Sequence, residues 1–482
     1  MKRWMWISSL TLAVSAPLTG VAVAAEPLVP VGKQGQSCHL PNYEEPLRCV
    51  QVKVPVDYAA ADGAQLDLHV TVAPAFRELA KADPLFVLAG GPGQAGSDIV
   101  YLLERAFKRV RATRDIVFID QRGTGKSGKL GCDLSQFDLL NEAEQERAFV
   151  DCLKQIDAPL QHYHTANAAR DLDEVRKALG YATVNVWGGS YGTRLGQAYA
   201  RAFPDKVRSL ILDSVASPQQ ILAVWGADAQ AALQAVFANC EAAPSCQAAF
   251  PTLAADFKLL ADNVAAGNVQ LNFQHPRTTQ PLAFTLPYNA FAETVRMMLY
   301  SADMSARIPF LVTEASKGNW KPFIAQMYAQ SDWSADTMAV GLTLAVACAE
   351  DMPRLTPALV ETEVGNSFLK GLQVKLWPQW CQHIKVPAIP YAEPTPLATP
   401  TLLLSGALDP VTPPHRAEQA MQSLSKAQHI VAKTVGHGLS HLGCGPRLLR
   451  EFLDAPESPL DGSCVAEIPL PPFVINVAGP TP

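Results

Sequence analysis

Five short apolar runs, each bounded by turn residues, punctuate this chain: LFVLAG from Leu85, DIVFID from Asp115, TVNVWG from Thr183, SLILDS from Ser209 and TLLLSG from Thr401. Continuous Val, Ile and Leu without strict polar alternation predicts strands buried on both faces. Helical spacing lies between some of them. After Ser190, Leu195, Ala198, Tyr199, Ala202 and Phe203 recur at i, i+3, i+4, i+7 and i+8 until Pro204, which predicts an amphipathic helix. Strand and helix in alternation predict a mainly parallel α/β sheet. From about Ile221 to Lys385 the rhythm changes to Ala-rich helical segments such as ADAQAALQAVFANC and YNAFAETVRMMLYS, and strand signals return only at Thr401. An insertion between two sheet strands accounts for this better than a tandem domain, with the proline-rich VPAIPYAEPTPLATP as its return linker.

At 482 residues, 48% of them hydrophobic and 17% charged, the chain has the composition of a compact protein with a large core. A net charge of -6 without a basic stripe excludes an electrostatic case for nucleic acid and leaves small or peptide substrates as the better fit. MKRWMWISSLTLAVSAPLTGVAVAAEP opens with basic residues, continues apolar but broken by Ser8, Ser9, Ser15 and Pro17, and ends in small residues. This is the layout of a secretory signal peptide cleaved near Ala24 or Ala25, too interrupted to serve as a membrane span. The expected organisation is a signal peptide at 1–25, a first core part at 26–220, a helical cap at 221–385 and a second core part at 386–482. A periplasmic or secreted location follows, with no membrane attachment after cleavage.

Export gives the ten cysteines a meaning, because disulfides persist in oxidising compartments. Pairing each with its neighbour joins Cys38 with Cys49, Cys132 with Cys152, Cys240 with Cys246, Cys348 with Cys381, and Cys444 with Cys464. Sequence alone does not fix this connectivity. There is no C-x-x-C pair, so staples are favoured over metal ligands, and neither metal nor cofactor is expected.

The stretch VNVWGGSYGTRLGQAYA places Ser190 between glycines where a strand turns into a helix. A serine is a poor nucleophile until a base takes its proton, and it must stand clear of the sheet to meet a carbonyl. Gly188 and Gly192 leave room for a strained turn, and the N–H of Tyr191 opens the helix as an oxyanion donor. The bland reading is a tight turn that contains a serine; the strand before and the periodic helix after favour a nucleophile. An acid and a histidine should follow in that order. TLLLSGALDPVTPP supplies Asp409, alternatively a turn cap, and HIVAKTVGHGLSHLGC supplies His437. His441 is the rival base; the glycines flanking His437 suit a loop that approaches the serine closely. A second oxyanion donor, the N–H of Gly91, is offered by LFVLAGGPGQAGSD, which lacks the lysine and hydroxyl of a phosphate loop. DQRGTGKSG also misses phosphate-loop spacing and reads as a turn packed against the site.

GGPG, DQRGTGKSG, GGSYGTRLGQAYARAFPDKV, LLLSGALDPVTP and GHG together resemble the prolyl aminopeptidase and tripeptidyl aminopeptidase group of α/β-hydrolases, with a TAP-like C-terminal region, over almost the whole mature chain. The resemblance implies an α/β-hydrolase fold with an eight-stranded core, a helical cap inserted after the sixth strand, and release of residues from short peptides with free amino termini. Where many relatives carry His before the glycine pair, this chain has Ala89. An aminopeptidase must bind a cationic amine, and AVACAEDMP puts Glu350 and Asp351 in the region that looks like the acidic cap segment of relatives. Glu350, with Asp351, is the candidate ammonium partner; a solvated acidic pair is the alternative. Three classes stay open: a metal-independent serine exopeptidase, a carboxylesterase with the same triad, and a noncatalytic binding protein on a hydrolase scaffold.

Overall fold

A computed structural model describes residues 35–132, 142–275, 278–365 and 367–480. The expected signal segment lies outside the described residues. Three strands come first: β1 (Gln36–Cys38), β2 (Leu47–Pro55) and β3 (Gln65–Ala73). The apolar runs then form β4 (Leu85–Leu88), β5 (Ile116–Ile119), β6 (Val184–Gly189) and β7 (Val207–Asp213). A hairpin, β8 (Gln270–Gln274) with β9 (Pro281–Thr285), sits within the insertion. The fifth run is β10 (Thr401–Gly406), followed by β11 (Ala427–Ala432).

The main sheet runs β1-β2-β3-β5-β4-β6-β7-β10-β11. From β5 to β11 every pairing is parallel, and the three pairings on the β1 side are antiparallel. Apolar layers cover both faces, which is why β4, β5 and β10 are buried along their length. The sheet has nine strands where the resemblance implied eight, because β1 pairs with β2 at the edge and the Cys38–Cys49 bond holds it there. Counted from β2, the insertion does follow the sixth strand.

The helix after β6, Tyr191–Ala202, buries Leu195 and Tyr199, but Arg194 and Gln197 on its other side are buried too. It is covered by the sheet on one side and the insertion on the other, so it lacks the solvent face its periodicity predicts. The insertion carries helices from Gly226–Ala242 to Leu372–Cys381 around a core of its own that includes Leu233, Phe257, Phe291 and Phe323. Its hairpin adds to the strands expected from the sequence, since QLNFQ and PLAFT are five residues each and lie among helical segments. All five neighbouring cysteine pairs are bonded as read from the sequence. Among the described residues no helix is long and apolar enough to cross a membrane.

Candidate active site

Ser190 occupies the turn between β6 and its helix at φ 55° and ψ -124°, a left-handed conformation that costs a non-glycine residue energy. Close packing enforces it. A Cβ on Gly188 would come within 2.3 Å of the Gly192 carbonyl oxygen, and one on Gly192 within 2.3 Å of the Leu88 carbonyl oxygen, so the helix start is pressed against the ends of β4 and β6. The Ser190 N–H donates to the Asp213 carbonyl at 2.9 Å, and the Thr193 hydroxyl donates to the Ser190 carbonyl at 2.6 Å. Tyr191 is the first helical residue, so its N–H has no acceptor within the helix and lies at the positive end of the helix dipole.

The glycine loop abuts the serine from the β4 side. A Cβ on Gly90 would lie 2.9 Å from the Ser190 Cβ and 3.5 Å from its Oγ. Gly91 follows with φ 107° and is exposed. The insertion clasps this loop: the Ala339 N–H donates to the Gly93 carbonyl at 2.9 Å and the Thr343 hydroxyl donates to the Pro92 carbonyl. DQRGTGKSG braces it from below. Gln121 donates to the Ala89 carbonyl at 3.2 Å, while the Asp120 carboxylate accepts from the Ser97 N–H and hydroxyl and from the Lys126 N–H.

Asp409 and His437 meet. His437 Nδ1 lies 2.8 Å from Asp409 Oδ2, and the same carboxylate accepts the N–H groups of Val411 and Thr412 at 2.9 and 2.8 Å and the Thr412 hydroxyl at 2.8 Å. Asp409 is 1% exposed, so its charge depends on these donors. Burial pushes its acidity down, but the charge and hydrogen bond of His437 and the two N–H groups outweigh it and hold the carboxyl below the usual range. For His437 burial favours the neutral ring, yet the charges of Asp409 and Asp213 prevail and raise it above the ordinary imidazole value. His441 goes the other way, lowered by burial and by Arg105. His437 and His441 have the spacing of a paired metal site, but among the described residues no group of three or more His, Cys, Asp or Glu is gathered to hold an ion.

Two residues outside the sequence-based set join this site. Tyr300, at the end of an insertion helix, accepts the His437 N–H on its carbonyl at 2.7 Å, and its ring packs on the imidazole with centroids 4.8 Å apart. Its hydroxyl accepts from Arg296 at 2.8 Å. Asp213, the last residue of β7, accepts the N–H groups of Leu439 and Ser440 on its two carboxylate oxygens, each at 2.8 Å. A carboxylate closing the apolar run SLILD was a usable signal for Asp213; nothing local marks Tyr300.

The acidic pair lies where the insertion meets the core. Glu350 accepts the N–H and hydroxyl of Thr165 at 2.7 and 2.8 Å, capping the helix Thr165–Ala178, and burial raises its pKa. Thr165 in turn bonds the Tyr191 hydroxyl at 2.8 Å. Asp351, fully buried, lies 2.9 Å from Arg194 and 3.4 Å from Arg354. Both carboxylates therefore tie the insertion to the core through these contacts.

Two family models match the chain, one described as alpha/beta hydrolase fold over residues 83–263 and one as TAP-like protein over residues 369–464. A 222-residue stretch is 32% identical to the tripeptidyl aminopeptidase of Streptomyces coelicolor, covering 42% of this chain and 41% of that protein. A 189-residue stretch is 33% identical to the serine protease Hip1 of Mycobacterium tuberculosis, covering 35% and 36%. A 223-residue stretch is 34% identical to carboxylesterase B of Mycobacterium tuberculosis, covering 41% and 42%. Each match spans less than half the length of the relative.

Proposed function

The chain being an α/β-hydrolase superfamily member related to tripeptidyl aminopeptidase and Hip1-like proteins, we propose that it is an exported serine exopeptidase acting at free amino termini of short peptides. The observation that carries this reading is the Asp409–His437 contact at 2.8 Å, on a loop tied through Asp213 to the turn that presents Ser190. In this mechanism Ser190 Oγ attacks the scissile carbonyl while His437 takes its proton. Asp409 keeps the Nδ1–H tautomer and stabilises the imidazolium. The N–H groups of Tyr191 and Gly91 receive the oxyanion. His437 returns the proton to the leaving amine, and water then releases the acyl group from Ser190 by the same route.

Export is supported by the five disulfides, which persist in an oxidising compartment. The match to carboxylesterase B supports a second reading, hydrolysis of short acyl esters. Labelling with a fluorophosphonate, alongside turnover of aminoacyl and tripeptidyl anilides, separates these readings. The peptidase cleaves the anilides and loses both labelling and turnover on Ser190→Ala. An esterase turns over acyl esters and leaves the anilides intact, and a binding protein has no hydrolysis to lose. A mixed peptide library read by mass spectrometry then reports how many residues leave per cleavage.

A further inference from the structure

We propose that Asp213 is a positioning residue that sets the register between Ser190 and His437, holding the nucleophile turn with its carbonyl and the histidine loop with its carboxylate. The proposal rests on the serine-hydrolase reading above and adds a residue to it. Asp213 ends β7 and is 2% exposed. Its carbonyl accepts the Ser190 N–H at 2.9 Å. Oδ1 and Oδ2 accept the N–H groups of Leu439 and Ser440, and the neighbouring Ser214 hydroxyl accepts that of Gly438 at 2.7 Å. Three consecutive N–H groups directly after His437 are thus anchored by two residues, one of which also fixes the serine. Ser214 reaches its place at φ 59° and donates its own N–H to the Leu404 carbonyl at 2.9 Å, on the strand leading to Asp409. β6 adds one more tie, from the Trp187 indole N–H to the Ser440 hydroxyl at 2.8 Å.

Segment 436–440 lies outside helix and strand, so its placement comes from these bonds and from the Tyr300 contact. Losing the carboxylate would leave buried N–H groups without acceptors and let the imidazole drift from the serine. The carboxylate also acts through charge. The groups facing His437 are Asp409 from the loop after β10, Asp213 from β7, and Arg296 and Tyr300 from the insertion; the two carboxylates favour the imidazolium and Arg296 opposes it. His441, with Arg105 near it, shares the field of Asp213.

The test uses the mature, disulfide-bonded chain and the rate of fluorophosphonate labelling against pH. Asp213→Asn is expected to slow labelling of the folded protein roughly ten- to a hundredfold, from the loss of a buried acceptor at the site, and to move the acid limb to lower pH. Ser214→Ala, which leaves the charge in place, is expected to slow labelling without moving the limb. An Asp213→Asn protein that only melts earlier, labelling at the wild-type rate with an unmoved limb, overturns the proposal. Should that variant not fold, Ser214→Ala labelling at the wild-type rate overturns it instead. Absence of labelling in the wild type, or labelling that survives Ser190→Ala, rejects the serine-hydrolase reading and the positioning role with it; normal wild-type labelling with indifferent variants rejects only the latter.

Discussion

Replacing Asp351 by Ala removes the only carboxylate within ion-pair reach of the buried Arg194 guanidinium among the described residues. Arg194 is 6% exposed and, among the described residues, would keep only the Gln220 carbonyl as a hydrogen-bond partner, its Nε having none there. Arg354, 3.4 Å from the same carboxylate, would then feel the charge of Arg194 without the carboxylate they share. Breaking a buried pair from one side costs about 3–5 kcal/mol, a large share of a total stability on the order of 5–15 kcal/mol. Urea unfolding of the oxidised protein, followed by tryptophan fluorescence, reads this as a lowered midpoint. The double variant Asp351→Leu with Arg194→Met should recover most of the loss, since neither member of the buried pair remains. Free-amine and N-acetylated substrates should be affected alike. A single variant within about 1 kcal/mol of wild type, the value of an exposed pair, refutes the bracing argument. So does selective loss of the free-amine substrate at full stability, which would make Asp351 an ammonium receptor.

Asp409→Asn should lower kcat by roughly ten-thousandfold, as loss of the correct tautomer does in other triads; a loss below about tenfold would remove Asp409 from the mechanism. The acid limb of kcat/KM should lie above the ordinary histidine value, because His437 must be neutral to act as base and its pKa is raised. For stability the sign is the reverse: the charged ring is the form the fold favours. The melting advantage over His437→Gln should be full below about pH 6.5 and fade as pH rises through the folded-state value; an advantage that grows with pH contradicts the assignment. Glu350→Gln should slow free-amine and N-acetylated peptides equally, since both Glu350 oxygens serve Thr165. Replacing Cys348 and Cys381 together by Ser opens a link with sequence separation 33 and should cost about 3–4 kcal/mol in the urea midpoint; a change near zero would mean the bond constrains little.

Short-range information was legible in the sequence. The five apolar runs became strands because continuous β-branched and apolar residues suit a sheet buried on both faces. The turn at Ser190 was legible because its glycines answer steric demands within a few residues, as the 2.3 Å approach of a Cβ on Gly188 to Gly192 illustrates. Neighbouring cysteines found each other for a similar reason, being close in the chain. The strands β2 and β3 carry a strand signal in their β-branched content over nine residues each, whereas the hairpin strands in the insertion carry theirs over only five.

What a charge does was decided only by tertiary structure. Asp409 and His437 were candidates by order along the chain, and folding made them partners. Glu350 and Asp351 read from the sequence as an ammonium partner or as a solvated acidic pair, and the fold brings Thr165 and Arg194, far away in sequence, to them as donors. Asp213 joined the site when the fold brought the N–H groups of Leu439 and Ser440 to its carboxylate, and Tyr300 joined it through a backbone contact that no local motif encodes. Backbone sterics and burial preference act over a few residues and leave a trace in composition, while a buried polar group takes its meaning from whichever partner the fold delivers to it.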